Sequence, residues 1–457
     1  MKTGGRRKIS PARSIALQVL RRVEAEGAFS SLALNHALRR HATLSPEDRA
    51  LATELTYGTL RWRRRLDYAL SAHSHRRLEK VEPSLLRILR LSAYQLMFLD
   101  SIPDWAAVDQ GTEMAVVMRG RRAAGYVNGV LRGLAGNRER IEWPAAEKDP
   151  VHALAVMHSF PDWLVKWWLQ LFGQKRAEEF MQALNLPAPM WVRANSLRGK
   201  PEKLASLIAA SGYHADQSDL VPGAVMLQQV GDVTSLAAHQ EGWFHVQDLA
   251  AQAVCHLLAP KPGQRILDAC GAPGGKTATL AQLMNDQGEI LSVDIHPARI
   301  GLVRQLAERL RITCVRAMAH DLAGPPPGDF NTFDRVLLDA PCSSIGVLRR
   351  HPEIRWRLAP DELAHIANTQ RELLDSVAGL VKPGGTLVYS VCTFTQEEGP
   401  GQIRSFLADH PEFEQIDPRT GKKAPWHAMI DDSGALATWP DIHNADAFFA
   451  VRMQKKQ

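Results

Sequence analysis

A glycine-rich stretch, Asp268-Ala-Cys-Gly-Ala-Pro-Gly-Gly-Lys-Thr277, decides the fold of the carboxyl-terminal half of this chain. The apolar run before it, Gln264-Arg-Ile-Leu, predicts a buried strand, and Ala278-Thr-Leu-Ala-Gln-Leu-Met after it predicts a helix. A strand, a glycine turn and a helix in this order are typical of a cofactor crevice at the carboxyl edge of a parallel sheet. Because the glycines lack a Cβ, the backbone can approach a ligand closely.

Two kinds of cofactor compete for this turn. A P-loop, G-x-x-x-x-G-K-[ST], would end at Gly275-Lys-Thr277 with Asp339 on a later strand, but it requires glycine where the chain has Cys270. S-adenosylmethionine (SAM) has no phosphate chain and needs close backbone approach plus carboxylates. Asp294, Asp321 and Asp339 each follow an apolar run, with Asp294 placed for ribose hydroxyls and Asp321 for the adenine end. A helix cap explains any one of them alone, but together they favour SAM.

Length and composition limit the remaining possibilities. A chain of 457 residues with ordinary apolar content is expected to hold two or three domains. No run is long enough to span a membrane, and the basic amino terminus lacks the apolar segment of a secretory signal. Five cysteines without a C-x-x-C pair argue against a disulfide framework and a metal site. We therefore expect a cytoplasmic protein.

The formal net charge of +6 is unevenly distributed. Residues 1–140 contain 25 lysines and arginines, 22 of them arginine, against 13 acidic residues, so this part carries +12 and the remainder −6. Arginine favours bidentate phosphate contacts and stacking on bases. A basic amino-terminal third therefore predicts an anionic partner, although a solvated surface explains any single arginine.

Four segments follow from the pattern. Residues 1–9 are expected to be a disordered basic tail, and residues 10–140 an all-α domain whose helices start at signals such as Ser10-Pro11 and Ser45-Pro46. Residues 141–240 predict a linker and a small α+β subdomain. Residues 241–457 alternate strands with helices, as in an α/β Rossmann-like parallel sheet.

Several polar residues in these segments are candidates for ligand contact. Arg193 and Asn195 end a strand of the α+β subdomain and could touch RNA, with a structural role as the alternative. Gln247 and Asp248 precede the first core strand and could line the cofactor pocket, with helix capping by Asp248 as the alternative.

Two cysteines are predicted to lie beside the cofactor. Cys342, in Asp339-Ala-Pro-Cys-Ser-Ser, follows the fourth strand, and Cys392, in Tyr389-Ser-Val-Cys-Thr-Phe, ends the fifth. Adjacent parallel strands are about 5 Å apart, so both thiols can face one pocket. Cys255 and Cys314 lie in apolar patterns and are expected to be packing residues, while Cys270 lines the turn.

A cofactor that donates methyl groups, a thiolate and a carboxylate together suit methylation of cytosine C5. That carbon is a weak nucleophile until a thiolate adds to C6. Asp339, hydrogen-bonded near N3, can offset the charge that develops on the ring. The target base must leave its stack to reach the thiolate.

Three motifs resemble those of RNA cytosine-C5 methyltransferases of the NOL/NSUN/Sun type: D-A-C-G-A-P-G-G-K-T, D-A-P-C-S-S and Y-S-V-C-T-F. Residues 12–20, 54–62 and 127–132 resemble NusB, a small helical RNA-binding factor. The whole chain resembles bacterial members of this family that act on the 16S rRNA of the small subunit. The resemblance implies an RNA-binding helical domain and 16S rRNA as partner, and we expect a monomer. A role in transcription control stays open.

The resemblance also implies residue roles. Cys392 would be the nucleophile and Cys342 would assist product release, whereas DNA enzymes of the same chemistry attack from the Pro-Cys cysteine. The implied cofactor-binding residues are Cys270, Gly271, Ala272, Pro273, Gly274, Gly275, Lys276, Asp294, Asp321 and Asp339. This chain departs from the family pattern at Gly271, usually alanine, and at Val391, usually threonine, whose role Thr393 could fill.

The loop after Cys342 is basic and contains a tryptophan, so Arg349, Arg350 and Arg355 are expected to contact RNA, with a solvated loop as the alternative. Two other function classes are compatible with the sequence. One is a P-loop NTPase that acts on RNA. The other is a NusB-like RNA-binding protein whose carboxyl half is structural.

Overall fold

The computed structural model describes residues 9–41, 43–324 and 330–457. The expected disordered tail therefore lies outside the described residues except for Ile9. A run of three prolines in the sequence, Pro325-Pro-Pro327, also lies outside them. The chain divides into two compact units: one comprises residues 1–186 and 348–357, and the other comprises 187–347 and 358–457.

The first unit is helical, as the sequence predicted. Its helices are α1 Pro11–Glu26, α2 Ser30–Arg40, α3 Pro46–Arg61, α4 Arg63–Ser71, α5 Pro83–Phe98, α6 Asp104–Arg119, α7 Arg121–Asn137, α8 Pro150–Met157, α9 Asp162–Phe172 and α10 Gln174–Asn185. The start signals act as expected: the side chain of Ser10 accepts from Arg13 N at α1, and that of Ser45 accepts from Asp48 N at α3.

Helices α8 to α10 fall within the segment 141–240 that we assigned to a linker and α+β subdomain, yet they belong to the helical unit. Arg64 explains why. Its backbone N–H donates to Ser159 Oγ (2.9 Å), and its guanidinium donates to the Phe160 carbonyl and to Asp162 Oδ1, both at 2.8 Å. These bonds attach the start of α9 to α4.

Residues 348–357 are remote in sequence but fold as part of the helical unit. Helix α2 begins after Phe29, whose side chain cannot accept a hydrogen bond, and Glu353 replaces the missing cap. Ser30 donates from both N and Oγ to the Glu353 carboxylate, each at 2.8 Å. A carboxylate at a helix amino terminus is also favoured by the helix dipole.

The second unit starts with a small α+β part. Its elements are β1 Met190–Ala194, α11 Pro201–Ala210, β2 His214–Gln217, β3 Ala224–Gln228, α12 Ala237–Gln240 and β4 Phe244–Val246. The strands pair antiparallel in the order β2-β3-β1-β4. Their inner faces pack around Val192, Val225 and Phe244.

The larger part of this unit is the expected α/β fold. Its elements are α13 Leu249–Leu258, β5 Arg265–Ala269, α14 Gly275–Leu283, β6 Glu289–Asp294, α15 Pro297–Leu310, β7 Val315–Ala319, β8 Phe333–Asp339, α16 Glu362–Ala378, β9 Val381–Val391, α17 Pro400–Asp409, β10 Phe413–Gln415, β11 Leu436–Ala437, α18 Pro440–His443 and β12 Phe449–Lys455. The sheet order is β10-β12-β9-β8-β5-β6-β7, with β11 against β12. Strands β5 to β9 are parallel, so their carboxyl ends share one edge.

Among the described residues, none of the helices combines the length and the apolar character needed to cross a lipid bilayer.

The cap that Glu353 provides can be tested by hydrogen exchange. Glu353→Ala leaves the buried Ser30 N–H without its acceptor, which costs about 1–3 kcal/mol, so amides of α2 should exchange roughly tenfold faster or more. Glu79→Ala, which removes an exposed glutamate of the same unit, is the control and should leave α2 unchanged. Equal exchange in both variants would contradict the role of Glu353.

Candidate active site

The glycine turn forms a cradle in which side chains have little room. Cys270 adopts φ 60° and Gly274 φ 103°, both in the left-handed region. A Cβ on Gly274 would lie 3.0 Å from Val303 Cα, and a Cβ on Gly271 would meet Ser292 and Asp268. A side chain at 271 would therefore have to displace the side chains of Ser292 and Asp268.

Three aspartates line the same sheet edge on both sides of this turn. Asp294 ends β6, Asp321 follows β7, and Asp339 ends β8. Asp294 is buried; its Oδ1 accepts from His296 N (3.0 Å) and its Oδ2 lies 3.4 Å from Arg299. Asp321 is exposed and accepts from Ala323 N. The turn follows β5, so the order β8-β5-β6-β7 places Asp339 on one side of it and Asp294 and Asp321 on the other.

The two groups that would serve a P-loop both bind protein partners. Lys276 Nζ donates to Asp339 Oδ2 at 2.7 Å, and Thr277 Oγ1 donates to Asp268 Oδ2. Burial disfavours the charged form of Lys276, but the Asp339 carboxylate outweighs this effect, so the pKa of Lys276 lies above its ordinary value. Lys276 is therefore the charge partner of Asp339, a role that the sequence did not indicate.

The two cysteines converge as predicted from their strands. Cys342 Sγ and Cys392 Sγ are 3.0 Å apart, and both residues are partly exposed. The hydrogen bond to Cys392, reinforced by burial, raises the pKa of Cys342 well above that of an ordinary thiol. Cys342 is therefore protonated at neutral pH and can donate to its neighbour.

Cys392 has a hydroxyl neighbour that the sequence did not suggest. Ser344 Oγ lies 3.6 Å from Cys392 Sγ. Val391 is buried in the sheet core, and the Thr393 hydroxyl accepts from Ser343 Oγ (3.1 Å). Although Val391 has no hydroxyl, the Cys392 thiol still has a polar neighbour, because the loop after Cys342 supplies Ser344.

The other cysteines fit their expected roles as packing or lining residues. Burial raises the pKa values of Cys255, Cys270 and Cys314 to about 12, so they remain thiols. Among the described residues, no group of His, Cys, Asp and Glu side chains is arranged to hold a metal ion.

Two of the four arginines proposed to contact RNA are used inside the helical unit. Arg355 is 1% exposed; it donates to Asn185 Oδ1 (3.0 Å) and the Ser159 carbonyl (3.1 Å), and its guanidinium lies 3.9 Å from the Phe160 ring. Arg349 is also buried, at 4% exposure. These positions correct the expectation of RNA contact, because neither side chain offers surface to a nucleic acid. Arg350 is half-buried.

Arg193 and Asn195 are buried in the second unit. The Arg193 guanidinium donates to Gln282 Oε1 (3.3 Å) and to the Pro222 carbonyl. Asn195 donates to the carbonyls of Gly242 (2.9 Å) and Leu310 (3.0 Å). Both join the small sheet to the α/β part, which is the structural alternative noted for them in the sequence.

Gln247 and Asp248 also take structural roles. Thr279 Oγ1 donates to Gln247 Oε1 (2.6 Å), which links the end of the small sheet to α14. The Asp248 side chain accepts from Ala250 N and caps α13, as the capping alternative predicted.

Three family models match successive segments of the chain. Residues 10–136 match the NusB family, residues 160–234 match the ferredoxin-like domain of RsmF/B-like methyltransferases, and residues 255–454 match the description "16S rRNA methyltransferase RsmB/F".

Relatives of similar length match almost end to end. A Bacillus subtilis protein named "Probable ribosomal RNA small subunit methyltransferase B" is 37% identical and covers 98% of this chain and 100% of its own length. A Klebsiella pneumoniae protein named "Ribosomal RNA small subunit methyltransferase B" is 33% identical over 97% of this chain and 98% of its own. The crystal structure of PH0851 superposes with a TM-score of 0.81 at 26% identity, covering 98% of this chain and 100% of that one.

Asp268 should make the stability of the protein fall as pH rises towards neutral. Burial raises the pKa of its carboxyl group to about 7, so the folded state holds a proton that the unfolded state releases near pH 4. Asp268→Asn removes this titration, so the wild type should lose roughly 2 kcal/mol relative to the variant between pH 5 and pH 7. Denaturant unfolding at both values measures this change, and a difference independent of pH would contradict it. Asp432→Asn, at an exposed position, is the control.

Proposed function

This chain belongs to the 16S rRNA methyltransferase RsmB/F family, and on that premise we propose that it transfers a methyl group to C5 of a cytosine in 16S rRNA through a covalent cysteine intermediate. The observation that carries this proposal is the pair of sulfur atoms 3.0 Å apart beside Asp339 and the glycine turn. Cytosine methylation at C5 needs a nucleophile for C6 and a proton carrier at C5, and two adjacent thiols supply both.

Cys392 is the nucleophile in this proposal. Its thiolate adds to C6, and the electron pair of the C5–C6 double bond moves to C5, which becomes nucleophilic. Asp339 lies at the same sheet edge, where its carboxylate accepts a hydrogen bond from the amino group beside N3 of the cytosine. The Lys276 ammonium, which donates to Asp339, offsets the negative charge that develops on the ring. SAM supplies the electrophilic methyl group that C5 attacks.

Cys342 assists release of the product. As the C6–S bond breaks, its S–H donates a proton to the Cys392 sulfur, and its own sulfur takes the proton that leaves C5. The C5–C6 double bond reforms and both thiols are regenerated. Before the next turnover Cys392 loses its proton and becomes a thiolate again. This is the proton that the overall reaction releases.

The glycine turn and the aspartates around it suit SAM as the cofactor. Residues 270–276 bring backbone close to the cofactor where side chains do not fit, and the amino end of α14 points N–H groups at it. In this proposal Asp294 binds the ribose hydroxyls, Asp321 binds at the adenine end, and Asp339 lies at the sulfonium end beside the cysteines.

The helical unit is proposed to bind the rRNA. It matches the NusB family and holds most of the positive charge of the chain. Arg350 remains the RNA-contact candidate from the loop after Cys342, because Arg349 and Arg355 are buried. An enzyme with this substrate acts in the cytoplasm.

The covalent step predicts opposite results for the two cysteines. Incubated with SAM and 16S rRNA, naked or in precursor subunits, Cys342→Ala should accumulate a protein–RNA band on a denaturing gel, because release is blocked after methyl transfer. Cys392→Ala and the double variant should give none, because no bond to C6 forms. A band from Cys392→Ala that is absent from Cys342→Ala would reverse the roles.

Asp294→Asn tests the cofactor site by calorimetry. Asparagine keeps the acceptor for His296 N but replaces the other oxygen with an amide that cannot accept from ribose hydroxyls, so the Kd for SAM should rise about tenfold or more. Asp432→Asn should bind as the wild type does. Unchanged affinity in Asp294→Asn would remove Asp294 from the site.

A further inference from the structure

We propose that two buried side chains, Glu398 and Gln370, form a clasp that positions Cys342 for product release. Neither is assigned a role by the motifs, and both act on the backbone beside Cys342 rather than on the substrate. The inference rests on the function proposed above, because that function gives Cys342 its step.

The clasp holds the peptide groups on both sides of Cys342. Gln370 Nε2, from α16, donates to the Pro341 carbonyl at 2.9 Å. The Ser343 N–H donates to Glu398 Oε2 at 2.8 Å. Gln370 Nε2 also donates to the same Glu398 oxygen at 3.0 Å, so the two side chains are joined behind the loop. The backbone that carries the Cys342 sulfur is thereby fixed at both ends.

The clasp is itself held by a closed set of hydrogen bonds. Thr395 Oγ1 donates to Glu398 Oε1 (3.0 Å) and accepts from Glu398 N (3.2 Å). The Tyr389 hydroxyl lies 3.0 Å from Gln370 Oε1 and 2.7 Å from the Glu398 carbonyl oxygen. Gln370 and Glu398 are both 0% exposed. A buried polar network whose members are all bonded is rigid, and it is costly to break at any one member.

The same loop is tied to the residue after the nucleophile. Ser343 Oγ donates to Thr393 Oγ1 at 3.1 Å, and these residues directly follow Cys342 and Cys392. Glu398 therefore acts on Ser343, which links the two cysteine backbones. Moving Ser343 would change the 3.0 Å separation of the sulfurs, on which proton transfer between them depends.

A carboxyl group buried in an apolar interior needs hydrogen-bond partners that offset the free-energy cost of its burial. Burying it unpaired costs several kcal/mol, and the neighbouring Glu397 avoids that cost by being exposed. The contacts described above for the Glu398 side chain go to the Cys342 loop, to Gln370 and to its own turn. Glu398 and Gln370 are thus positioning residues for Cys342.

Four variants of the full chain separate positioning from charge and from general stability. Glu398→Ala removes the acceptor for Ser343 N, and Gln370→Met removes the donor to Pro341 while keeping side-chain volume. Glu398→Gln keeps an acceptor for Ser343 N and Gln370, and its amide can donate to Thr395 Oγ1. Glu397→Gln is the matched control at the adjacent exposed position. Thermal unfolding and SAM binding identify variants that have failed to fold.

With SAM and 16S rRNA, Glu398→Ala and Gln370→Met should resemble Cys342→Ala. We expect the covalent protein–RNA band to rise at least fivefold over wild type, a first turnover close to one methyl group per enzyme, and a steady-state kcat at least tenfold lower. Glu398→Gln and Glu397→Gln should remain near wild type in all three measurements. A residue that only stabilised the fold would lower first turnover and kcat together, without any band.

The outcomes distinguish this inference from the function beneath it. If Cys342→Ala gives no covalent band, the proposed function fails. If Cys342→Ala gives the band but folded Glu398→Ala and Gln370→Met do not, the clasp is overturned and the function stands. A band from Glu398→Gln as strong as that from Glu398→Ala would overturn the hydrogen-bond account in favour of charge.

Discussion

Parallel pairing of β8 with β9 is the constraint on which the rest of the site depends. The register sets Asp339 opposite Ser390, so both strands end at the same level and the loops after them leave side by side. Ser390 Oγ donates to Asp339 Oδ1 at 3.1 Å at this point. Cys342 and Cys392 follow within a few residues and meet for that reason. Because β5 pairs on the other side of β8, the glycine turn lies next to the same edge. One strand order therefore determines where the glycine turn, Asp339 and the two thiols lie.

Buried polar side chains do much of the positioning in both units. Glu353 caps α2, Arg355 binds carbonyls within the helical unit, and Glu398 holds the Cys342 loop. The chain leaves the active-site part after Val347, contributes residues 348–357 to the helical unit and then returns. The Cys342 loop is therefore anchored by a clasp at its start and is continuous with a segment of the proposed RNA-binding unit at its end.

Local patterns were sufficient to predict the element types, the helix starts and the strand ends that carry Asp294, Asp339 and both cysteines. They failed where long-range packing decides. Arg355 looked like a surface cation because its burial depends on Phe160 and Asn185, which are remote in sequence. Glu397 and Glu398 are identical in type and adjacent, and nothing local shows which one is buried. The ion pair of Lys276 with Asp339 was hidden because a lysine after a glycine turn indicates phosphate binding more readily than a carboxylate partner. The attachment of α9 to α4 through Arg64 was also hidden, because Arg64 lies outside the segment that contains α9.

The role of Cys392 as nucleophile can be checked by locating the covalent attachment on RNA that contains 5-fluorocytosine. Fluorine at C5 cannot leave as a proton does, so the adduct persists after methyl transfer in the unaltered enzyme. Protease and nuclease digestion followed by tandem mass spectrometry identifies the modified residue. We expect one methylated fluorocytosine attached to Cys392. Attachment to Cys342, or no adduct while methyl groups still reach 16S rRNA, would contradict covalent catalysis by Cys392.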